Sequence, residues 1–144
     1  MKIAVAGVGY VGLVTAVTLA DVGHDVICLD VDKGKLKMLK EGISPIYEYG
    51  LEELMLKNRE RLKFTDDVTK YSEAQVIIIG VGTPEKEDGS ADLSAVFSVA
   101  DSIADNCSDG AVVVVKSTVP IGTCESVHRR IGERRPDLYF FVVS

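Results

Sequence analysis

The sequence predicts an α/β fold in which helices cover both faces of a parallel sheet of about six strands. Strand-like apolar runs recur along the 144 residues, and stretches with helical spacing separate them. Several runs are apolar on both faces; Val112 to Val115 is one example. Such strands need helices on each side. The expected topology is a doubly wound sheet with strand order 3-2-1-4-5-6.

Each element follows from its local pattern. β-branched and aliphatic residues predict strands over residues 2–6, 25–29, 62–64, 75–80, 111–116 and 139–143. Apolar residues at steps of three and four predict helices over residues 11–22, 33–40 and 51–57. A further apolar stripe follows Asp92, which is the expected N-cap of that helix. The charged residues 128–135 are expected to form a solvated helix face.

A glycine triad follows the first predicted strand directly. Gly7, Gly9 and Gly12 have Gly-x-Gly-x-x-Gly spacing and stand between a strand and a helix, which favours a Rossmann-type dinucleotide site. Gly7 permits the sharp turn, Gly9 leaves the backbone open to a pyrophosphate, and Gly12 permits close packing of helix and sheet. The alternative is a tight strand-to-helix turn without a ligand.

An acid follows the second predicted strand, eighteen positions beyond Gly12. A carboxylate at Asp30 can accept hydrogen bonds from both adenosine ribose hydroxyls and repels a 2′-phosphate, so the expected cofactor is NAD, not NADP. An aspartate here could instead cap the next helix. We assign that role to Asp32 and ribose binding to Asp30.

Two further loops belong to the same edge, because ligands of open α/β sheets bind at the carboxyl ends of the strands. Gly82 and Thr83 follow the fourth predicted strand, and Thr118 follows the fifth. Each threonine precedes a proline, so its hydroxyl stands on a stiffened loop. From spacing alone the alternatives are even: Thr118 could cap a helix that Pro120 opens, and Thr83 could hold a turn.

Composition limits the partners. The chain has 16 basic and 22 acidic residues, and its net charge of −6 argues against nucleic acid and against anionic membranes. Three widely spaced cysteines and two histidines give little support for a metal, so we expect none. No apolar run approaches a membrane span or a signal core, so we expect a cytoplasmic protein.

Five segments match one family's pattern in register. They are GVGYVGL at 7–13, LDVD at 29–32, SPIYE at 44–48, GTP at 82–84 with DGSADL at 88–93, and KSTVPIGT at 116–123. With these segments the chain resembles the NAD-binding domain of the UDP-glucose/GDP-mannose dehydrogenase family, and within it most closely the members that oxidise UDP-glucose. The resemblance covers essentially the whole chain.

The resemblance implies a set of NAD ligands. The glycine turn matches the family's pyrophosphate site, Asp30 its ribose ligand and Lys35 a nearby cofactor contact. Thr83 and Thr118 match the nicotinamide side, where the residue at Thr118 also holds a water used in catalysis. The full implied set is Gly7, Gly9, Tyr10, Val11, Gly12, Asp30, Lys35, Gly82, Thr83 and Thr118.

The resemblance also implies an activity. Family members oxidise the C6 alcohol of a nucleotide sugar to a carboxylate with two NAD, through a thioester on a cysteine of a later domain; UDP-glucose to UDP-glucuronate, a step of polysaccharide biosynthesis, is the expected reaction. None of the three cysteines here matches that nucleophile. We therefore expect residues 1–144 to be one domain of a longer, homodimeric enzyme, without the connecting helix and sugar domain, and inactive alone.

Other interpretations stay open. UDP-N-acetylmannosamine or GDP-mannose could be the substrate, because the family's sugar contacts lie outside this segment. A related NAD-linked dehydrogenase of the hydroxyacyl-CoA or 6-phosphogluconate type is a second possibility, although the loops at residues 82–84 and 116–123 disfavour it. A non-catalytic NAD-binding module is the third.

Overall fold

The computed structural model describes residues 1–144. The strands are β1 (Lys2–Ala6), β2 (Asp25–Leu29), β3 (Leu62–Thr65), β4 (Val76–Ile79), β5 (Ala111–Val115) and β6 (Phe140–Val143). The helices are α1 (Tyr10–Asp21), α2 (Lys33–Lys40), α3 (Leu51–Lys57), α4 (Ser94–Asn106) and α5 (Thr123–Arg134). A 3₁₀ segment spans Val68–Glu73.

All six strands are parallel and form one sheet in the order β3-β2-β1-β4-β5-β6. The predicted order is therefore confirmed. The chain winds from β1 outward to β3 and then returns to place β4 on the other side of β1. At this reversal the connections leave the carboxyl ends of β1 and β4 in opposite directions, which opens a crevice between them.

The predicted element bounds agree with the structure to within one residue. The largest difference is at the fourth strand, predicted over residues 75–80 and observed over Val76–Ile79. Gly80 still donates its N–H to the Ala6 carbonyl at 2.8 Å, so pairing extends one residue beyond the assigned strand. Differences of this size reflect how strand and helix ends fray.

The predicted N-cap of α4 is wrong by one residue. Leu93, not Asp92, occupies the N-cap position of α4. Asp92 lies one residue earlier, and its carboxylate still accepts the N–H of Ser94 at 2.9 Å. The aspartate therefore stabilises the start of the helix as expected, but through a turn that precedes it.

The sheet has a hydrophobic core on each face, because successive side chains of a strand point to opposite faces. Ile3 and Val5 of β1 pack with α1, α2 and α3, whereas Ala4 and Ala6 pack with α4, α5 and the 3₁₀ segment. Both faces of the central strands are thus covered, as their apolar runs predict. The longest helix has 13 residues, and no helix is long and apolar enough to cross a membrane.

Two arginine–aspartate pairs join α5 to α4. Arg130 makes two hydrogen bonds to Asp101 at 2.6 and 2.7 Å, and Arg134 makes the same two bonds to Asp105. Arg130 also lies over the ring of Phe97, 5.4 Å from its centroid. Both arginines are exposed, in agreement with the prediction of a solvated helix face, and their paired hydrogen bonds add contacts between the two helices.

Three glycines from different elements meet where α1 crosses the sheet. A Cβ built on Gly12 would lie 1.9 Å from the carbonyl oxygen of Gly7, and a Cβ on Gly80 would lie 3.1 Å from the Cα of Gly12. The backbone of α1 thus touches the ends of β1 and β4 directly. No side chain fits at Gly12 without moving the helix away from the sheet.

We expect Gly12→Ala to lower the free energy of unfolding by at least about 2 kcal/mol, because the added methyl group overlaps backbone atoms. Urea unfolding measures the change. Gly132→Ala is the matched control, since Gly132 is also helical but a Cβ there would lie 3.9 Å from its nearest neighbour, Phe140. The control should gain about 0.5–1 kcal/mol of helix propensity; equal effects at both positions would contradict the close-packing role.

Candidate cofactor site

Gly7 makes the turn that leads from β1 into the crevice. Its φ of +95° is one that side chains rarely adopt, and its N–H donates to the Leu29 carbonyl at 2.8 Å. A Cβ at this position would lie 2.9 Å from the carbonyl oxygen of Gly80. The chain's own backbone therefore requires glycine at position 7, whether or not a ligand binds.

Gly9 has no such requirement. Its φ of −77° and ψ of −168° suit any residue, and a Cβ there would meet nothing within 4 Å. The space above Gly9 is open, and it lies at the N-cap of α1. The chain itself therefore does not require glycine at this position, and contact between the Gly9 backbone and a phosphate stays a prediction.

The N-terminus of α1 can hold an anion. No side chain caps it, and its first turn contains no acidic residue. The first N–H groups of a helix have no intrahelical partner, and the helix dipole favours negative charge there. Tyr10 and Val11 occupy this turn and are half-exposed. These features fit a pyrophosphate held by main-chain groups, which suits a chain of net charge −6.

The side chain of Tyr10 is directed elsewhere. Its hydroxyl donates a hydrogen bond to the carbonyl of Tyr47, in the loop between α2 and α3. Partial burial and the nearby Glu48 carboxylate raise the pKa of Tyr10. Because its side chain is engaged in this way, Tyr10 can contact a ligand through its backbone N–H rather than through its hydroxyl.

Asp30 lies at the carboxyl end of β2, beside the glycine turn. One carboxylate oxygen accepts the N–H of Val8 at 2.8 Å, and the other accepts the N–H of Asp32 at 2.9 Å. Each oxygen keeps a second lone pair for another donor. Asp32 caps α2 by accepting the N–H groups of Gly34 and Lys35, as predicted, whereas ribose binding by Asp30 stays a prediction.

Lys35 lies in the first turn of α2, half-buried, and its ammonium group makes no ion pair within the chain. Its neighbour Lys33 instead approaches Asp66 at 3.9 Å. Lys35 is thus the free cation next to the segment that carries Asp30. It could approach the adenosine end of a cofactor that Asp30 binds.

The loops after β4 and β5 are joined by side-chain hydrogen bonds. The Thr83 hydroxyl donates to the carbonyl of Thr118 at 2.7 Å, and the Ser117 hydroxyl donates to the carbonyl of Val81 at 2.6 Å. The structure therefore brings Thr83 and Thr118 together, as expected of residues at one edge of the sheet. Gly82 is exposed, with no atoms within 4 Å of a Cβ built there.

The alternative role of Thr118 as a helix cap is wrong. Pro120 does not open a helix; α5 begins at Thr123 after Gly122, whose φ is +88°. Thr123 itself accounts for the turn, since its hydroxyl donates to the Pro120 carbonyl at 2.7 Å. Thr118 is exposed, and its own hydroxyl has no partner in the chain.

A pocket of about 260 Å³ adjoins Asp30, on the face of the sheet that α4 covers. Its walls come from the ends of β1 and β2, from the 3₁₀ segment and from α4. The lining residues that sequence reasoning did not assign to a site are Ala6, Leu29, Val31, Asp66, Val68, Tyr71, Ala95, Ser98, Val99 and Ser102. Small residues at Ala95, Ser98 and Ser102, at steps of three and four along α4, were the available signal.

Two of the three cysteines, Cys28 and Cys107, are buried. Cys28 is fully buried inside β2, and burial raises the pKa of its thiol to about 12. Burial also raises the pKa of Cys107. Neither thiol forms a thiolate readily at neutral pH, so they behave as packing residues.

Comparison with known proteins gives a consistent result. The model of the UDP-glucose/GDP-mannose dehydrogenase family, NAD binding domain, matches residues 1–143. A UDP-glucose 6-dehydrogenase of Rhizobium meliloti (strain 1021) is 50% identical over 148 residues, which cover 100% of this chain and 34% of that protein. The chain thus spans about a third of the length of the curated relatives it matches.

Solved structures agree. A UDP-glucose dehydrogenase from the hyperthermophilic archaeon Pyrobaculum islandicum superposes with a TM-score of 0.89 at 38% identity, over 98% of this chain and 34% of that one. A GDP-mannose dehydrogenase from Pseudomonas aeruginosa, solved as a ternary complex, gives 0.92 at 37% identity over 99% of this chain and 35% of that one. The match over residues 1–143 shows that the chain belongs to the UDP-glucose/GDP-mannose dehydrogenase family, as the domain of that family that binds NAD.

Proposed function

We propose that this chain is the cofactor-binding part of a longer UDP-glucose 6-dehydrogenase, an NAD-dependent oxidoreductase that converts UDP-glucose to UDP-glucuronate with two NAD. The observation that carries the cofactor role is the open space above Gly9 at the uncapped start of α1. The choice of UDP-glucose rests on the name of the relative at 50% identity. GDP-mannose is the second candidate, because a GDP-mannose dehydrogenase superposes equally well. UDP-N-acetylmannosamine is the third, since a dehydrogenase of that sugar superposes with the same TM-score of 0.92 at a lower identity of 33%; a non-catalytic NAD-binding role is a further alternative.

The proposed binding residues divide by cofactor region. The main chain of Gly7, Gly9, Tyr10, Val11 and Gly12 binds the pyrophosphate through N–H groups and the dipole of α1. Asp30 accepts hydrogen bonds from the adenosine ribose, and Lys35 adds a cation beside it. Gly82, Thr83 and Thr118 line the nicotinamide side. When bound, NAD supplies the hydride acceptor; Thr118, whose hydroxyl has no partner in the chain, positions the water that releases the product.

The rest of the enzyme is also part of the proposal. Because the chain spans about a third of its relatives' length, we assign a connecting helix, the nucleotide-sugar domain and the nucleophilic cysteine to further sequence. Substrate binding and dimer formation belong to that part. Residues 1–144 alone should bind NAD without turning over a nucleotide sugar, since Cys28 and Cys107 are buried thiols of raised pKa and none of the three cysteines matches the family's nucleophile.

We expect Gly9→Ala to raise the Kd for NAD at least about tenfold, because the methyl group stands where a phosphate would approach the backbone. The free energy of unfolding should change by less than about 0.5 kcal/mol, since the methyl group meets nothing in the chain. Isothermal titration and urea unfolding measure the two effects. Gly132→Ala is the control, and an unchanged Kd in Gly9→Ala would remove the pyrophosphate assignment.

Cofactor choice tests Asp30. The chain should bind NAD at least about tenfold more tightly than NADP, a difference of about 1.4 kcal/mol, and Asp30→Asn should bring the two affinities close together. Asp32→Asn removes the same charge two residues away and keeps its cap, because one oxygen accepts both helix N–H groups. A variant at Asp32 that loses as much selectivity as the one at Asp30 would argue against direct ribose contact.

The complete enzyme tests the substrate. With UDP-glucose it should form two NADH per UDP-glucuronate, and it should leave GDP-mannose unoxidised; the reverse preference would replace the proposed substrate by the second candidate.

Thr118→Ala in the complete enzyme should lower kcat at least about tenfold with a smaller change in NAD affinity, as loss of a positioned water predicts. Thr18→Ala, an exposed threonine on α1, serves as control. An unaltered kcat in Thr118→Ala would exclude its catalytic role.

A further inference from the structure

The pocket beside Asp30 has one polar side chain among its deeply buried lining residues. Ala6, Gly7, Leu29 and Tyr71 are the buried members of the lining, and the others are half-buried or exposed. The first three offer no side-chain donor or acceptor. Tyr71 therefore supplies the polar group at the floor of the pocket.

The Tyr71 hydroxyl has no partner within the chain but is not sealed. Tyr71 is only 2% exposed, its ring belongs to the core on the α4–α5 face, and no hydrogen bond of the chain involves its hydroxyl. Yet no fully enclosed polar side-chain atom of the protein lacks a partner. The hydroxyl oxygen must therefore reach accessible space, and Tyr71 lines this pocket together with Asp30, whose charge acts on the Tyr71 hydroxyl.

A largely buried hydroxyl without a partner in the chain is uncommon in folded proteins, and it can bond to a polar group that enters the pocket. Burial and the nearby Asp30 charge raise the pKa of Tyr71, so the hydroxyl keeps its proton at neutral pH and can donate it. Asp30 itself lies at the rim, half-buried, where the ribose is proposed to bind. A group attached to that ribose and inserted deeper would meet Tyr71.

We propose that the Tyr71 hydroxyl donates a hydrogen bond to a ring nitrogen of the cofactor's adenine, which makes Tyr71 a determinant of base recognition. This inference rests on the proposed cofactor role of the crevice. The pocket's volume of about 260 Å³ is below the range typical of whole-ligand sites, which suits one end of a dinucleotide. Its apolar walls, with Val68 and Val99 among them, suit a flat base, and the single buried donor orients it.

The test uses 5′-AMP, the adenosine half of the cofactor, titrated into the 144-residue chain. Tyr71→Phe should raise the Kd for AMP about fivefold, as loss of one neutral hydrogen bond predicts. The effect should be the same for 2′-deoxy-AMP and absent for nicotinamide mononucleotide. Tyr139→Phe, which removes an exposed hydroxyl remote from the pocket, is the matched control and should leave all three affinities unchanged.

The melting temperature of Tyr71→Phe should not fall, because the hydroxyl has no partner to lose. If Tyr71→Phe fails to fold, the wild-type chain still tests the proposal. Each of 1-deaza-, 3-deaza- and 7-deaza-AMP lacks one ring nitrogen, and the analogue that lacks the acceptor should bind about fivefold more weakly than AMP. Equal AMP affinities in wild type and Tyr71→Phe, an effect that disappears with 2′-deoxy-AMP, or three deaza analogues that bind like AMP would each overturn the inference. A wild-type chain that binds neither AMP nor NAD would instead overturn the proposed function.

Discussion

The backbone contact between α1 and the sheet fixes the position of the proposed cofactor site. Gly12 lies against the carbonyl of Gly7, and Gly80 lies against Gly12, so three elements meet without an intervening side chain. This junction sits at the reversal of strand order, between β1 and β4. Because α1 cannot move outward without breaking it, the free N–H groups of its first turn are held at a fixed place over the crevice.

The charges of the chain explain why backbone groups carry so much of the proposed site. With a net charge of −6, the molecule as a whole repels a pyrophosphate. The dipole of α1 supplies local positive potential, and the absence of acidic residues in its first turn leaves that potential uncancelled. Asp30 is the nearby anion, and the N–H groups of Val8 and Asp32 fix its orientation before any ligand arrives. A group held in this way loses little entropy on binding.

The sequence predicted what depends on local pattern. Strand order, helix bounds and the roles of Gly7, Gly12 and Asp32 follow from periodicity, conformational preference and capping, which involve residues close together along the chain. What it missed depends on contacts between distant segments. The Tyr10 hydroxyl meets a carbonyl 37 positions away, and Tyr71 enters the pocket only because the 3₁₀ segment packs beside α4. Capping by Thr118 was wrong because Gly122 delays the start of α5, which spacing from Pro120 does not reveal.

The hydrogen bond between Thr83 and Thr118 separates two roles that looked alike in the sequence. The Thr83 hydroxyl is committed to the Thr118 carbonyl, so its proton is not free for a ligand while that bond persists. The Thr118 hydroxyl has no such commitment and is exposed at the same edge. Since Ser117 ties the same two loops through the Val81 carbonyl, Thr118 stands on a segment held at two points. One threonine thus joins the two loops, and the other keeps an exposed, uncommitted hydroxyl on a segment that these bonds restrain, which supports its proposed role in ordering a water molecule.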